Sequence, residues 1–262
     1  MLKNITLGQY FPGDTIVHRL DPRMKIICTI LYITAIFMAN SLFSMLVVVL
    51  FFLCLVQLSA VKIRLLVRGL RPLIIIFSLT AILNVFFTPG EILVSFWRLS
   101  ITREGVFRGI IFLTRISLMV MGTFLLTYTT SPMAFTDGLE KLLAPLRKIR
   151  VPVHELAMIM SMALRFVPTL LEETDKIIKA QKARGADFES GGLFRRARAL
   201  IPIFVPLFIS AFRRADELAI AMESRCYHGG EGRTRMRQLR YEKHDALAFL
   251  LCVVIVLAAW WM

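Results

Sequence analysis

The sequence predicts an all-α integral membrane protein with about five transmembrane helices plus long cytoplasmic helices. Three observations predict this. Hydrophobic residues make up 57% of the 262-residue chain, and its mean hydropathy is +0.68; ordinary soluble domains are about 45–50% apolar. The apolar residues fall in long uninterrupted runs. The 32 Lys and Arg, which leave a net charge of +14, lie between those runs. Basic loops between apolar spans point to a membrane protein in contact with the lipid bilayer, and no nucleic acid partner is expected.

Residues 1–23 contain Pro12, Gly13, Asp14 and Asp21 and lack the short apolar core of a secretory signal. The N-terminal membrane region, 1–128, holds four spans at about 24–39, 42–60, 73–88 and 107–128. Each approaches the roughly 20 residues that cross 30 Å of hydrocarbon. The first opens at Leu20-Asp21-Pro22-Arg23, with Asp21 suited to the N-cap and Pro22 to the first helical turn. Only Asn40-Ser41 links the first two spans, which predicts a tight hairpin. Arg115 lies about two turns inside the fourth span. It reads either as a pathway or partner contact, because charge there is costly, or as an arginine bonded to a neighbouring helix's carbonyls.

Orientation follows from the basic residues. Residues 1–25 carry Lys3, Arg19, Arg23 and Lys25, and the second loop carries Lys62, Arg64, Arg68 and Arg71. Asn40-Ser41 has no charge, and Arg98 and Arg103 are balanced by Glu91 and Glu104. The positive-inside rule therefore puts the N-terminus in the cytoplasm.

Residues 129–245 form a cytoplasmic block with 20 Lys or Arg and 14 Asp or Glu. Its first helix, about 132–148, starts at Ser131-Pro132 and ends before Pro152. The second, about 153–184, is apolar early and charged late. Glu172 with Lys176 and Asp175 with Lys179 are spaced for i,i+4 pairing, and Gly185 suits a left-handed cap. The third, about 194–226, contains the apolar run Ala199–Phe212, which is too short for a span. Pro202 and Pro206 are expected to kink it. Ala211, Ala215 and Ala219 form a strip of small residues that suits close helix packing. A C-terminal membrane span, 246–262, closes the chain.

The last two cytoplasmic helices resemble a weak repeat. Asp175 and Asp216 each precede an Arg by nine residues, in Ala183-Arg184-Gly185 and Ser224-Arg225-Cys226. An Arg at a helix end complements the dipole, and its forked guanidinium suits bidentate pairing with carboxylates of a soluble partner.

Catalytic motifs are missing. No GxxxxGK[ST] loop is present, and His154-Glu155 is followed by Met158 where HExxH needs His. His18, His154, His228 and His244 are scattered, and Cys28, Cys54, Cys226 and Cys252 have neither CxxC nor zinc spacing. The sequence therefore predicts a non-enzyme with no catalytic residue and no metal site. The competing class is an integral-membrane enzyme acting on lipid-linked substrates, with the basic block on anionic head groups.

The chain resembles the transmembrane T component of energy-coupling factor (ECF) transporters, the bacterial ABC-type importers of vitamins and micronutrients. The resemblance rests on His18-Arg19-Leu20-Asp21-Pro22-Arg23-Met24-Lys25, Thr129-Thr130-Ser131-Pro132 and Ala163-Leu164-Arg165-Phe166-Val167-Pro168-Thr169-Leu170. It continues in Ala180-Gln181-Lys182-Ala183-Arg184-Gly185-Ala186-Asp187, Arg213-Arg214-Ala215-Asp216-Glu217-Leu218-Ala219 and Ala221-Met222-Glu223-Ser224-Arg225-Cys226-Tyr227. The resemblance implies a coupling subunit in the bacterial cytoplasmic membrane, bound to two ABC ATPase subunits and one small substrate-binding S component. ATP and Mg would belong to the ATPases, with no cofactor bound by this chain. The cytoplasmic helices would be coupling helices whose tips, Ala183-Arg184-Gly185 and Ser224-Arg225-Cys226, each engage one ATPase. The second tip keeps only the Arg of the family pattern, which makes Gly229-Gly230 a candidate for its turn. The S component would dock on the apolar face around Pro202, Pro206, Ala211, Ala215 and Ala219. A T component dedicated to a cobalt, nickel or biotin module is the alternative within the family.

Overall fold

The computed structural model describes residues 10–39, 41–96, 99–186, 188, 192–229 and 239–261. In chain order the helices are α1 (Ile16–Arg19), α2 (Pro22–Met38), α3 (Leu42–Ser59), α4 (Ile63–Gly69) and α5 (Ile74–Phe87). A hairpin follows, β1 (Ile92–Phe96) and β2 (Leu99–Thr102). Then come α6 (Arg103–Thr129), α7 (Pro132–Leu143), α8 (Val153–Ala183), α9 (Leu193–Glu223) and α10 (Lys243–Trp261). The fold is all-α apart from that hairpin, in which Ser95 pairs with Ser100 and Phe96 with Leu99. The β-branched Ile92, Val94, Ile101 and Thr102 favour extended backbone there.

Two compact units form. Among the described residues, one joins the segment up to Leu142 to the C-terminal helix α10, and the other spans the segment from Leu143 through α9. In the first, α2, α3, α6 and α10 surround a core that includes Tyr32, Ile36, Val48, Phe52, Leu118, Leu125 and Ala259. Gly122 lets α6 approach α2, because a Cβ there would strike the Tyr32 ring. The Tyr32 hydroxyl donates to the Leu118 carbonyl at 3.2 Å.

Helix starts follow their local chemistry. The Asp21 carboxylate accepts the Arg23 amide at 2.9 Å and caps α2. Ser41 and Ser44 form a reciprocal capping box on α3. Ser131 accepts the Ala134 amide at 3.3 Å ahead of α7. The α-helix expected over 132–148 ends at Leu143 and tightens into a 3₁₀ turn, Ala144–Ile149. Pro145 has no amide to continue the α ladder.

The first and last long helices run parallel in matched register. The Asp21 amide donates to Asp245 Oδ1 at 2.8 Å. Seven residues on, half-buried Cys28 and buried Cys252 interact across the seam. Seven further on, Ala35 and Ala259 are both buried in the core. A seven-residue repeat of small or capping residues is the seam of two closely packed parallel helices.

Among the described residues, five helical stretches are long and apolar enough to cross a bilayer: Leu42–Ser59, Ile63–Phe87, Arg103–Thr129, Val153–Ala183 and Lys243–Trp261. The chain is a multi-pass membrane protein. The set differs from the expected spans in three ways. Helix α2 has 17 residues, about 26 Å at 1.5 Å per residue, just short of the hydrocarbon thickness. Val153–Ala183 qualifies as the least apolar of the five, because its first half carries the apolar residues. Helices α4 and α5 join through a 3₁₀ turn, Arg71–Leu73, into one stretch. Arg115 meets the second of its two readings: it donates to the Ala39 carbonyl at the end of α2, at 2.6 Å.

Candidate functional site

The second unit presents the features singled out in the sequence. Helix α8 ends at Ala183, and its last turn is closed by a complete Schellman motif. The Ala186 amide donates to the Gln181 carbonyl and the Gly185 amide to the Lys182 carbonyl, both at 3.0 Å. Gly185 is left-handed, with φ +86°, and has open space where a Cβ would stand. Its conformation, not crowding, is what calls for glycine. Arg184 is the residue immediately before that left-handed turn, and it is exposed.

Helix α9 ends in the same way. The Tyr227 amide donates to the Met222 carbonyl at 3.0 Å and the Cys226 amide to the Glu223 carbonyl at 2.9 Å. Cys226 itself takes the left-handed position, with φ +56°. Gly229 is also left-handed, at φ +101°, but it lies beyond the cap. The turn expected of Gly229-Gly230 is thus made by Cys226; Gly230 lies outside the described residues. Arg225 therefore occupies the position that Arg184 holds, one residue before the left-handed turn, and it too is exposed. Ser224 stands where Ala183 does and bonds back to the Ile220 carbonyl at 2.6 Å.

The two helices lie antiparallel. Glu173 on α8 accepts from Ser210 Oγ at 2.6 Å and from Arg214 at 3.0 Å. Eight residues further along α8, Gln181 donates to the Pro202 carbonyl, eight residues earlier on α9, at 3.4 Å. Antiparallel pairing sends the Arg184 and Arg225 tips to opposite ends of the pair. The rise of 1.5 Å per residue puts them roughly 33–39 Å apart along α9. The Glu173–Arg214 ion pair sits eleven residues before each tip, so about 16 Å of helix separates it from either arginine.

Ile203, Leu207, Ser210, Arg214 and Leu218 are buried or half-buried on one side of α9. The other side exposes Ile201, Phe204, Val205, Phe208, Ile209 and Phe212, spaced at i, i+3, i+4, i+7, i+8 and i+11. Phe208 and Phe212 touch with ring centroids 4.7 Å apart and planes tilted by 60°. Pro202 and Pro206 are exposed, and α9 continues through both. Ala215 and Ala219 are exposed and Ala211 half-buried, so this strip is largely open. Sequence reasoning missed Glu173, Ser210, Arg214 and Gln181. Arg214 stands inside a quoted motif, but nothing local reveals the antiparallel register that gives it Glu173. Among the described residues, no cluster of three His, Cys, Asp or Glu is arranged to hold a metal ion.

The chain matches the family model CbiQ, described as cobalt transport protein, over residues 13–236. It is 52% identical over 249 residues to the energy-coupling factor transporter transmembrane protein EcfT of Thermosediminibacter oceani, covering 95% of this chain and 94% of that one. Identity to the protein of the same name from Clostridium kluyveri is 50% over 268 residues, covering 100% and 99% of the two chains. With the Lactococcus lactis subsp. cremoris protein, also so named, it is 43% over 262 residues, covering 99% and 98%.

Proposed function

The chain belongs to the CbiQ family, and we infer that it works as the transmembrane coupling subunit of an energy-coupling factor transporter. In this reading it links ATP hydrolysis in two ABC ATPase subunits to movement of a small S component that carries a vitamin or micronutrient. One observation carries the reading: two exposed arginines, Arg184 and Arg225, stand at equivalent cap positions on opposite ends of one antiparallel helix pair. Two like tips far apart suit two like partners, one each.

The chain's own residues supply binding and leverage, while ATP and Mg are held by the ATPases. Each guanidinium projects past a closed helix end into a carboxylate-lined groove of one ATPase, where its fork pairs bidentately. The Schellman turns fix the direction of each Arg. When the ATPases close, the two grooves approach and carry the tips with them. Helices α8 and α9, held at Glu173, Ser210 and Arg214, change their mutual angle. The apolar face from Ile201 to Phe212 moves with α9, and the S component docked there, around Pro202, Pro206, Ala211, Ala215 and Ala219, is tilted or released. In this reading residues 129–245 lie on the cytoplasmic side with the N-terminus, and α8, although long and apolar enough to cross a bilayer, runs along the membrane and not through it. The matched register of α2 and α10 puts the starts of both helices on one membrane face; the basic loops are what support the cytoplasmic side.

The test is co-purification from native membranes in mild detergent. Two ABC ATPases and a small hydrophobic protein are expected with the wild-type chain. Loss of one partner from a desolvated Arg–carboxylate pair costs about 3–5 kcal/mol, so Arg184→Ala/Arg225→Ala is expected to lose the ATPases or uncouple them. Normal uptake in that double variant sinks the assignment.

A further inference from the structure

Helix α9 carries a defect of its own making. Pro206 has no amide, so the carbonyl four residues earlier, that of Pro202, loses its helical donor, and the ring at 206 pushes that carbonyl outward. Gln181 reaches across from α8 and donates to this carbonyl through Nε2 at 3.4 Å. The main chain of Gln181 is engaged as well. Its carbonyl accepts the Arg184 amide at 3.1 Å and the Ala186 amide at 3.0 Å, the bonds that shape the Arg184 tip. One residue thus holds the tip through its backbone and the proline-freed point of α9 through its side chain.

We propose that Gln181 is the positioning residue that ties the Arg184 tip to the Pro202–Pro206 segment and so passes tip movement to the apolar face of α9. The inference deepens the coupling role proposed above and rests on it. The freed carbonyl is a point where α9 bends at little cost, since no intrahelical bond has to break there. An external donor fixed to the tip makes that bend follow the tip. The exposed side chains that begin at Ile201 and continue through Phe204 and Val205 flank this point, so a small bend reorients them.

The experiment uses the full complex purified from native membranes, with ATP and vanadate as the probe. The readout is amide exchange over residues 203–212. In the wild type, ATP and vanadate are expected to change exchange in this segment. Gln181→Leu, which keeps an unbranched-at-Cβ side chain of similar bulk but lacks the donor, is expected to shrink that change about three- to tenfold, the scale of one hydrogen bond. The ATPases are expected to stay bound. Gln181→Lys, which keeps a donor, is expected to restore the response. In a Pro206→Ala background the helix supplies its own donor to Pro202, and Gln181→Leu is expected to have no further effect. A full response in Gln181→Leu overturns the proposal, as does an equal loss from Gln181→Leu in the Pro206→Ala background. Arg184→Ala separates the two levels of the argument. If it abolishes the response while Gln181→Leu does not, the linkage alone fails. If it leaves the response intact, the coupling role fails and the linkage with it.

Discussion

Asp21 and Asp245, 224 residues apart in sequence, are joined by a 2.8 Å hydrogen bond from the Asp21 amide to the Asp245 carboxylate. Asp245 Oδ2 accepts the Glu242 amide at 2.8 Å, and the Asp245 residue is 2% exposed. One buried carboxylate thus holds two backbone donors at the starts of α2 and α10. Asp245→Ala leaves both unsatisfied and is expected to cost about 1–3 kcal/mol per orphaned group. Thermal unfolding in detergent checks this; an unchanged midpoint contradicts the assigned bond.

The two helix caps are expected to respond in opposite directions. Gly185→Ala forces a Cβ into the left-handed region and is expected to cost about 1 kcal/mol. Cys226→Gly removes that same strain at the other tip and is expected to be neutral or stabilising by a few tenths of a kcal/mol, given glycine's greater chain entropy. Amide exchange in the last turns of α8 and α9 reads both.

Arg115 is expected to serve structure, not transport. Its bond to the Ala39 carbonyl closes the end of α2, and Arg115→Met removes it at a cost of about 1–3 kcal/mol. Lys, which lacks the planar fork, is expected to recover only part of the loss. Uptake per folded complex stays normal in both variants; a selective loss of uptake revives the pathway reading.

Glu173 and Arg214 are expected to couple weakly but measurably. The pair is partly exposed, with side chains 27% and 38% accessible, so a double-mutant cycle is expected to yield about 0.5–1 kcal/mol. An Arg214→Ala effect unchanged in a Glu173→Ala background counts against the pairing.

His18 makes the region around α1 sensitive to acid. Its Nε2 donates to the Phe11 carbonyl at 3.1 Å and Nδ1 accepts from Thr15 at 2.7 Å, an arrangement of the neutral ring. Burial lowers its pKa below the usual histidine value. The unfolded segment therefore takes up a proton first. The stabilisation is complete above about pH 6.5 and declines as pH falls from there towards the folded pKa. The protection factors of residues 11–19, exchange corrected for its intrinsic pH dependence, are expected to fall between pH 7.5 and 5.5, and His18→Gln is expected to remove that fall.

Local chemistry made part of this molecule readable from sequence. The caps at Asp21 and Ser131 and the α8 terminus at Gly185 each depend on two or three adjacent residues, and the structure has them. The left-handed Cys226 was not readable, because the hydrogen-bonded turn imposes a conformation that cysteine does not prefer. The same is true of contacts set by register between distant segments. Glu173 finds Arg214, Gln181 finds Pro202, and Asp21 finds Asp245 only once helices are laid side by side. The small hairpin before α6 was hidden by its apolar composition, which helix and strand share.

The seven-residue seam between α2 and α10 has a consequence for how the protein is made. The surface that α2 shows to α10 has no partner until the end of the chain is synthesised. At about 5–20 residues per second, a gap of more than 220 residues lasts roughly 10–45 s. During that interval the Asp21 amide and the faces of Cys28 and Ala35 stay open to whatever membrane factor escorts nascent helices. A chain truncated before α10 is therefore expected to leave the α2 surface unpartnered, even when both arginine tips have been translated.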